Sequence, residues 1–127
     1  MEVEIDKDIK IKDSLFDPQT SNNDVAFYSK SLDGKYIYKV YLYLEGRDTF
    51  LVDSVTYKLH PTFSERIKKV KRSLSNQNCR LIIWTWGLFN LEAEIVLKTG
   101  EKLLAEHYMS YDREFKKAGL RFIEETK

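Results

Sequence analysis

The chain reads as an all-β sandwich, with a short polar arm ahead of it and a short helix near its end. Three observations predict this. From Val25 onward, segments rich in Tyr, Val and Ile follow one another closely, separated by turn dipeptides such as Asp33-Gly34 and Thr99-Gly100. Aromatic residues make up 13% of the chain, and aromatic side chains fit a pleated, half-buried surface well. Leu91, Ala93, Ile95 and Leu97 alternate with Asn90, Glu92, Glu94, Val96 and Lys98, the period of two that marks a strand. Five or more such strands with little helix between them point to a sandwich.

Residues 1 to 24 form the arm and residues 25 to 127 the domain. The arm ends in Asp17-Pro18-Gln19-Thr20-Ser21-Asn22-Asn23-Asp24, a turn-rich stretch, and holds at most one short strand near Ile9 to Ile11. Val25 to Ser29 is a strand, followed by the Asp33-Gly34 turn. From Tyr36 to Leu44, one face carries Tyr36, Tyr38, Val40, Leu42 and Leu44, and the other Ile37, Lys39, Tyr41 and Tyr43. A strand apolar on both faces is buried on much of both sides. Phe50 to Leu59 is a third strand, stopped by Pro61, which has no amide hydrogen for a ladder. In the basic run Arg66 to Arg72, the three-residue spacing of Ile67 and Val70 suits a helical turn better than a strand. Cys79 to Trp84 is a core strand, and Trp84 within it a core residue. Leu91 to Leu97 and Leu103 to Met109 make a hairpin about Thr99-Gly100. In the tail, Phe115, Leu120, Phe122 and Ile123 suit a short helix interrupted by Gly119, or a helix followed by a strand.

At 127 residues one domain is expected, burying roughly two-thirds of the surface of the unfolded chain. The net charge of +1 gives no broad attraction to nucleic acid or to an anionic membrane. Lys68, Lys69, Lys71 and Arg72 form the one basic cluster, expected to be a solvated loop rather than a phosphate contact. Glu2, Glu4, Asp6 and Asp8 make the start acidic. That start has neither the positive nor the apolar region of a signal peptide, and no apolar run approaches the length of a membrane span. Cys79 is the only cysteine, so no internal disulfide forms, and a reducing, cytoplasmic setting is expected.

The sequence carries no signature of catalytic chemistry. Phosphate-cradling glycine motifs and dinucleotide fingerprints are missing. His60, Cys79 and His107 are too few and too scattered for a structural zinc site, and no glycine-flanked Ser elbow is present. Glu92 and Glu94 share a strand face that solvent suffices to explain. No metal, cofactor or enzymatic activity is expected. Aromatic residues instead gather where two strands end, in His60-Pro61-Thr62-Phe63 and in Trp84-Thr85-Trp86-Gly87-Leu88-Phe89. Strand ends of a sandwich cluster at its poles, where binding sites are commonly built. If both runs share a pole, Phe63, Trp86 and Phe89 can wall a pocket, with His60 and Thr62 as its polar groups. The alternative is that they cap the core. Trp86, beside Gly87, suits either role.

These runs carry a family resemblance. Asp53 to Phe63 resembles the YEATS signature of a strand followed by His, any residue, Ser or Thr, then Phe. Trp86-Gly87-Leu88-Phe89 resembles its second signature, Gly-Trp-Gly-any residue-Phe, and Leu91 to Leu97 is similar to the strand that follows. The likeness spans about residues 34 to 110 and is greatest to the prokaryotic branch. It implies an immunoglobulin-like fold. From the chromatin-reading members it implies a slot for an acylated lysine, with Phe63 and Trp86 sandwiching the flat amide and Phe89 closing it. Thr62 would supply a hydroxyl, His60 would line or orient the channel, and the backbone at Trp86 and Gly87 would meet the acyl carbonyl. A neutral amide has a π-face to stack and polar atoms that need partners once desolvated. Thr85 stands where the pattern has its first Gly. The expected function is therefore non-catalytic recognition of a peptide or protein, through an acyl-lysine or a related acyl group. The competing expectation is a structural or protein–protein interaction domain, serving an effector or signalling system, that binds no acyl-lysine.

Overall fold

The computed structural model describes residues 7–126; the acidic positions Glu2, Glu4 and Asp6, and the rest of the start of the arm, lie outside them. Among the described residues, nine strands form two sheets. The first contains β1 (Lys10–Ser14), β2 (Val25–Lys30), β3 (Tyr36–Glu45), β6 (Leu81–Thr85) and β9 (Arg121–Glu124). The second runs β5 (Ile67–Lys71), β4 (Val52–Lys58), β7 (Asn90–Leu97), β8 (Lys102–Tyr108). Strand β3 is the hub. Tyr41 pairs with both Ser14 and Ile82, and Tyr38 with both Tyr28 and Thr85, so β6 lies along one edge of β3 while β1 and β2 share the other. The two sheets face each other as an immunoglobulin-like sandwich.

Residue parity decides what enters the core. Val40, Leu42 and Leu44 of β3, Ile11 of β1 and Ile83 of β6 face Val55 and Tyr57 of β4, Leu91, Ala93, Ile95 and Leu97 of β7, and Leu103 of β8. Each fully buried aliphatic chain of this kind contributes on the order of 2 kcal/mol. The other face of β3 is covered too, as its composition predicts. Ile37 and Tyr41 are buried, and Lys39 lies over the rings of Phe27 and Tyr41 with its ammonium 2.8 Å from Glu125. The turn-rich stretch 17–22 borders Tyr41 on this side, anchored by an Asp17–Arg80 ion pair at 2.7 Å.

Three expectations need correction. The basic run is no helical turn: Ile67–Lys71 is an edge strand paired with β4, Val70 opposite Val55. Alternation puts Val70 against the core and Lys69 and Lys71 in water, and charged edge strands resist pairing with other chains. Phe50 and Leu51 belong to a single 3-10 turn before β4. Trp84 is not a core residue. Since Ile83 takes the core position, Ile82 and Trp84 point to the outer face, where Trp84 stands half-buried opposite Lys39. The tail takes the helix-then-strand form, with a 3-10 helix at Tyr111–Lys116 and β9 parallel to β2.

Cys79 is fully buried just before β6, with φ +53°. Its carbonyl accepts a hydrogen bond from the buried Tyr57 hydroxyl at 2.8 Å. Burial pushes the thiol pKa up to about 11, and a thiolate is the reactive form. In native protein the thiol should therefore resist a disulfide reagent and react at once in urea. Rapid native labelling would show that Cys79 is not enclosed.

Candidate functional site

Several connections meet at one pole of the sandwich: residues 31–35, 59–66, 86–89 and 109–110. The registers put them there. Lys58 stands opposite Glu92 and Tyr38 opposite Thr85, so the ends of β4 and β6 coincide with the starts of β7 and β3. Both aromatic runs thus reach the same pole.

The 59–66 connection is a tight turn closed by the Phe63 N–H donating to the His60 carbonyl at 3.0 Å. The His60 Nδ1 accepts the Thr62 N–H at 3.2 Å and lies 2.9 Å from the Thr62 hydroxyl, so the neutral ring carries its proton on Nε2. This orders the imidazole and engages the hydroxyl locally. Phe63, half-buried, meets Phe89 edge-on with centroids 5.6 Å apart, and His60 lies 5.9 Å from the same ring. Phe89 is 7% exposed and belongs to the core. The structure therefore brings His60, Thr62, Phe63 and Phe89 together, with Phe89 as the floor.

Trp86 stands apart from that floor at 69% exposure. Its ring is met by the Lys35 ammonium, 5.5 Å from the centroid, in a shallow depression that includes Leu32 and Ile37. Gly87 is pinned by its backbone. Its carbonyl accepts the Tyr111 hydroxyl at 3.0 Å and its N–H donates to Thr85 Oγ1 at 3.3 Å. Burial, with Asp13 nearby, pushes the Tyr111 pKa up to about 12, which keeps it a neutral donor. Gly87 has no left-handed φ, and a Cβ there would meet nothing within 4 Å. Thr85 is buried in the extended strand with its hydroxyl turned to this loop; no left-handed φ at this position calls for the glycine of the family pattern.

Other aromatic residues gather at this end of the molecule, none of them expected from the sequence to line a site. Tyr111 and Phe115 pack together at 6.0 Å, Phe115 meets Tyr38 at 5.1 Å, and Phe122 joins both from β9. Their signals in the sequence were Phe115 and Phe122 among the apolar positions of the tail, and Tyr36 and Tyr38 on one face where β3 begins. Among the described residues no cluster of three or more His, Cys, Asp or Glu could hold a metal ion, and no helix is long and apolar enough to cross a membrane.

No curated protein sequence matches the chain. Among solved structures, the Yaf9 YEATS domain recognising an H3K122suc peptide is similar with a TM-score of 0.55 at 12% identity, covering 85% of this chain and 75% of that one. The Yaf9 YEATS domain bound to H3K27ac gives a TM-score of 0.53 at 12% identity, with coverage of 82% and 71%. A third structure of that domain gives 0.52 at 12% identity, covering 89% and 82%. At this identity the likeness establishes the fold. The family description of the prokaryotic YEATS domain matches residues 38–110, more than half of the chain and inclusive of both aromatic runs, so this protein belongs to the prokaryotic YEATS domain family.

Proposed function

We propose that the pole is a recognition site for an acylated lysine, or a related acyl group, on a peptide or protein, with no catalytic step. The observation that carries this reading is the exposed Trp86 on a loop beside the ordered His60–Thr62–Phe63 turn. A large aromatic side chain left in water adds nothing to the core, and such residues, when clustered, mark binding surfaces. Gly87 adds support, because its small size answers no crowding within the chain. In this reading Phe63 and Trp86 stack on the acyl amide, the His60–Thr62 pair supplies its polar partner, and Phe89 closes the floor. The acylated histone peptides of the similar structures suggest which ligands to try first.

A second reading, a structural or interaction domain without such a ligand, draws on Phe89. This ring is core, and Phe63 leans on it. Truncation separates the two. Trp86→Ala should change stability by no more than about 0.5 kcal/mol, as at an exposed site, while weakening ligand binding by about 2 kcal/mol or more. The measurement uses a Trp84→Phe background, leaving Trp86 as the sole tryptophan of the original two. Its fluorescence is followed against acetyl-, crotonyl- and unmodified lysine peptides. An acyl-selective, saturable change lost in Phe63→Ala supports the site. Equal responses to all three peptides, or none at millimolar concentration, favour the second reading.

A further inference from the structure

A second aromatic feature is built differently. Tyr28 of β2, Tyr36 and Tyr38 of β3 and Phe122 of β9 line a depression of about 280 Å³. The Tyr28 and Tyr36 rings are 5.5 Å apart at 75°, and Tyr38 and Phe122 are 6.1 Å apart at 58°. Phe115 backs Tyr38 and Phe122 from the 3-10 helix, so two of the walls are braced.

The angles matter. A flat acyl amide is gripped by two faces close to parallel, whereas walls at steep angles enclose a rounded guest. Aromatic faces attract cations through their quadrupole, and this chain already uses one in that way, with the Lys30 ammonium 5.5 Å from the Tyr36 centroid. Glu124 stands opposite Tyr28 in the β2–β9 pair and on the same face of the sheet. A primary ammonium would give up strong hydrogen bonds to water on entering a mostly aromatic box. A methylated ammonium has few or none to lose.

We propose that this depression binds a methylated ammonium, carried either by a trimethylated lysine side chain or by a small free quaternary amine. The guest sits against Tyr36, Tyr38 and Phe122 and competes with Lys30 for the face of Tyr36. The site is separate from the pole loops and does not depend on acyl-lysine binding there.

The test follows tyrosine ring resonances during titration with tetramethylammonium, with choline, and with the neutral tert-butyl isostere of choline. The cations should saturate, and the isostere should bind roughly tenfold more weakly, since it keeps the shape and loses the cation–π attraction. Tyr36 is half in water, at 51% exposure, so Tyr36→Ala should keep the fold and weaken cation binding. Lys30→Met should strengthen it by removing the competing charge. A trimethyl-lysine peptide binding more tightly than choline would identify the lysine as the source; equal binding would identify a free amine. The proposal is overturned if the isostere binds as well as the cations, if Tyr36→Ala leaves affinity unchanged, or if no resonance saturates at high millimolar concentration. An acetyl-lysine peptide that moves Trp86 and not these rings keeps the two sites distinct, and failure at one leaves the other standing.

Discussion

Asp13→Ala should cost on the order of 3–5 kcal/mol, as expected when one partner of a buried polar network is removed. The Asp13 side chain is fully enclosed although it lies on edge strand β1. Its Oδ2 accepts the N–H groups of Ser110 and Tyr111, each at 2.8 Å. Its Oδ1 lies 2.6 Å from His107 Nε2 of β8. One carboxylate thus ties the first sheet to the second and to the start of the 3-10 helix. Alanine would leave two backbone donors and an imidazole facing a void, each unsatisfied group costing about 1–3 kcal/mol. His107→Ala should cost less, because Asp13 keeps its two backbone donors. Urea unfolding of both variants gives the comparison, and equal losses would mean that the carboxylate is not the centre of the network. Tyr111 holds the Gly87 carbonyl, so Asp13→Ala should also loosen the 86–89 loop, seen as a broadened Trp86 emission.

Gly46→Ala should be nearly as damaging, at roughly 3–4 kcal/mol, from backbone strain plus a clash that cannot be relieved by a side-chain movement. Gly46 has φ +141°, and a Cβ there would lie 1.9 Å from the Asp8 carbonyl oxygen. The approach is enforced from both sides. The Asp8 N–H donates to the Asp48 carboxylate at 2.7 Å, and the Asp48 N–H donates to the Asp8 carbonyl at 3.1 Å. Asp8 in turn accepts from the Arg47 N–H at 3.0 Å, and that bond, with the Arg47 guanidinium, holds its carboxyl below the usual range. Gly34 is the control. Its φ is +85° but a Cβ there meets nothing, so Gly34→Ala should show only the backbone penalty of about 1–2 kcal/mol. Thermal unfolding of the two variants separates strain from clash. If Gly46→Ala melts no earlier than Gly34→Ala, the Asp8 contact is not close.

The hairpin of β7 and β8 was legible because Leu91, Ala93, Ile95 and Leu97 recur at every second position ahead of the Thr99-Gly100 turn, and β3 because a segment apolar on both faces has to be covered on both. The pole was legible as well, since Pro61 and Gly87 end strands at their aromatic runs and a sandwich collects strand ends. Local pattern failed where a choice depended on a neighbour. Ile67 and Val70, three apart, fit a helical turn until β4 offers a ladder, and pairing then outweighs spacing. Trp84 looked like core in an apolar run, but parity is a property of the sheet, and the partner strand gives the core position to Ile83. The all-β sandwich and its aromatic strand ends are written in local pattern, because periodicity, turn residues and side-chain volume act over a few residues. No local pattern says that Asp13 reaches His107 across 94 residues, or that Tyr28, Tyr36, Tyr38 and Phe122 line one depression. Those outcomes depend on which strands become neighbours, and the whole core settles that at once.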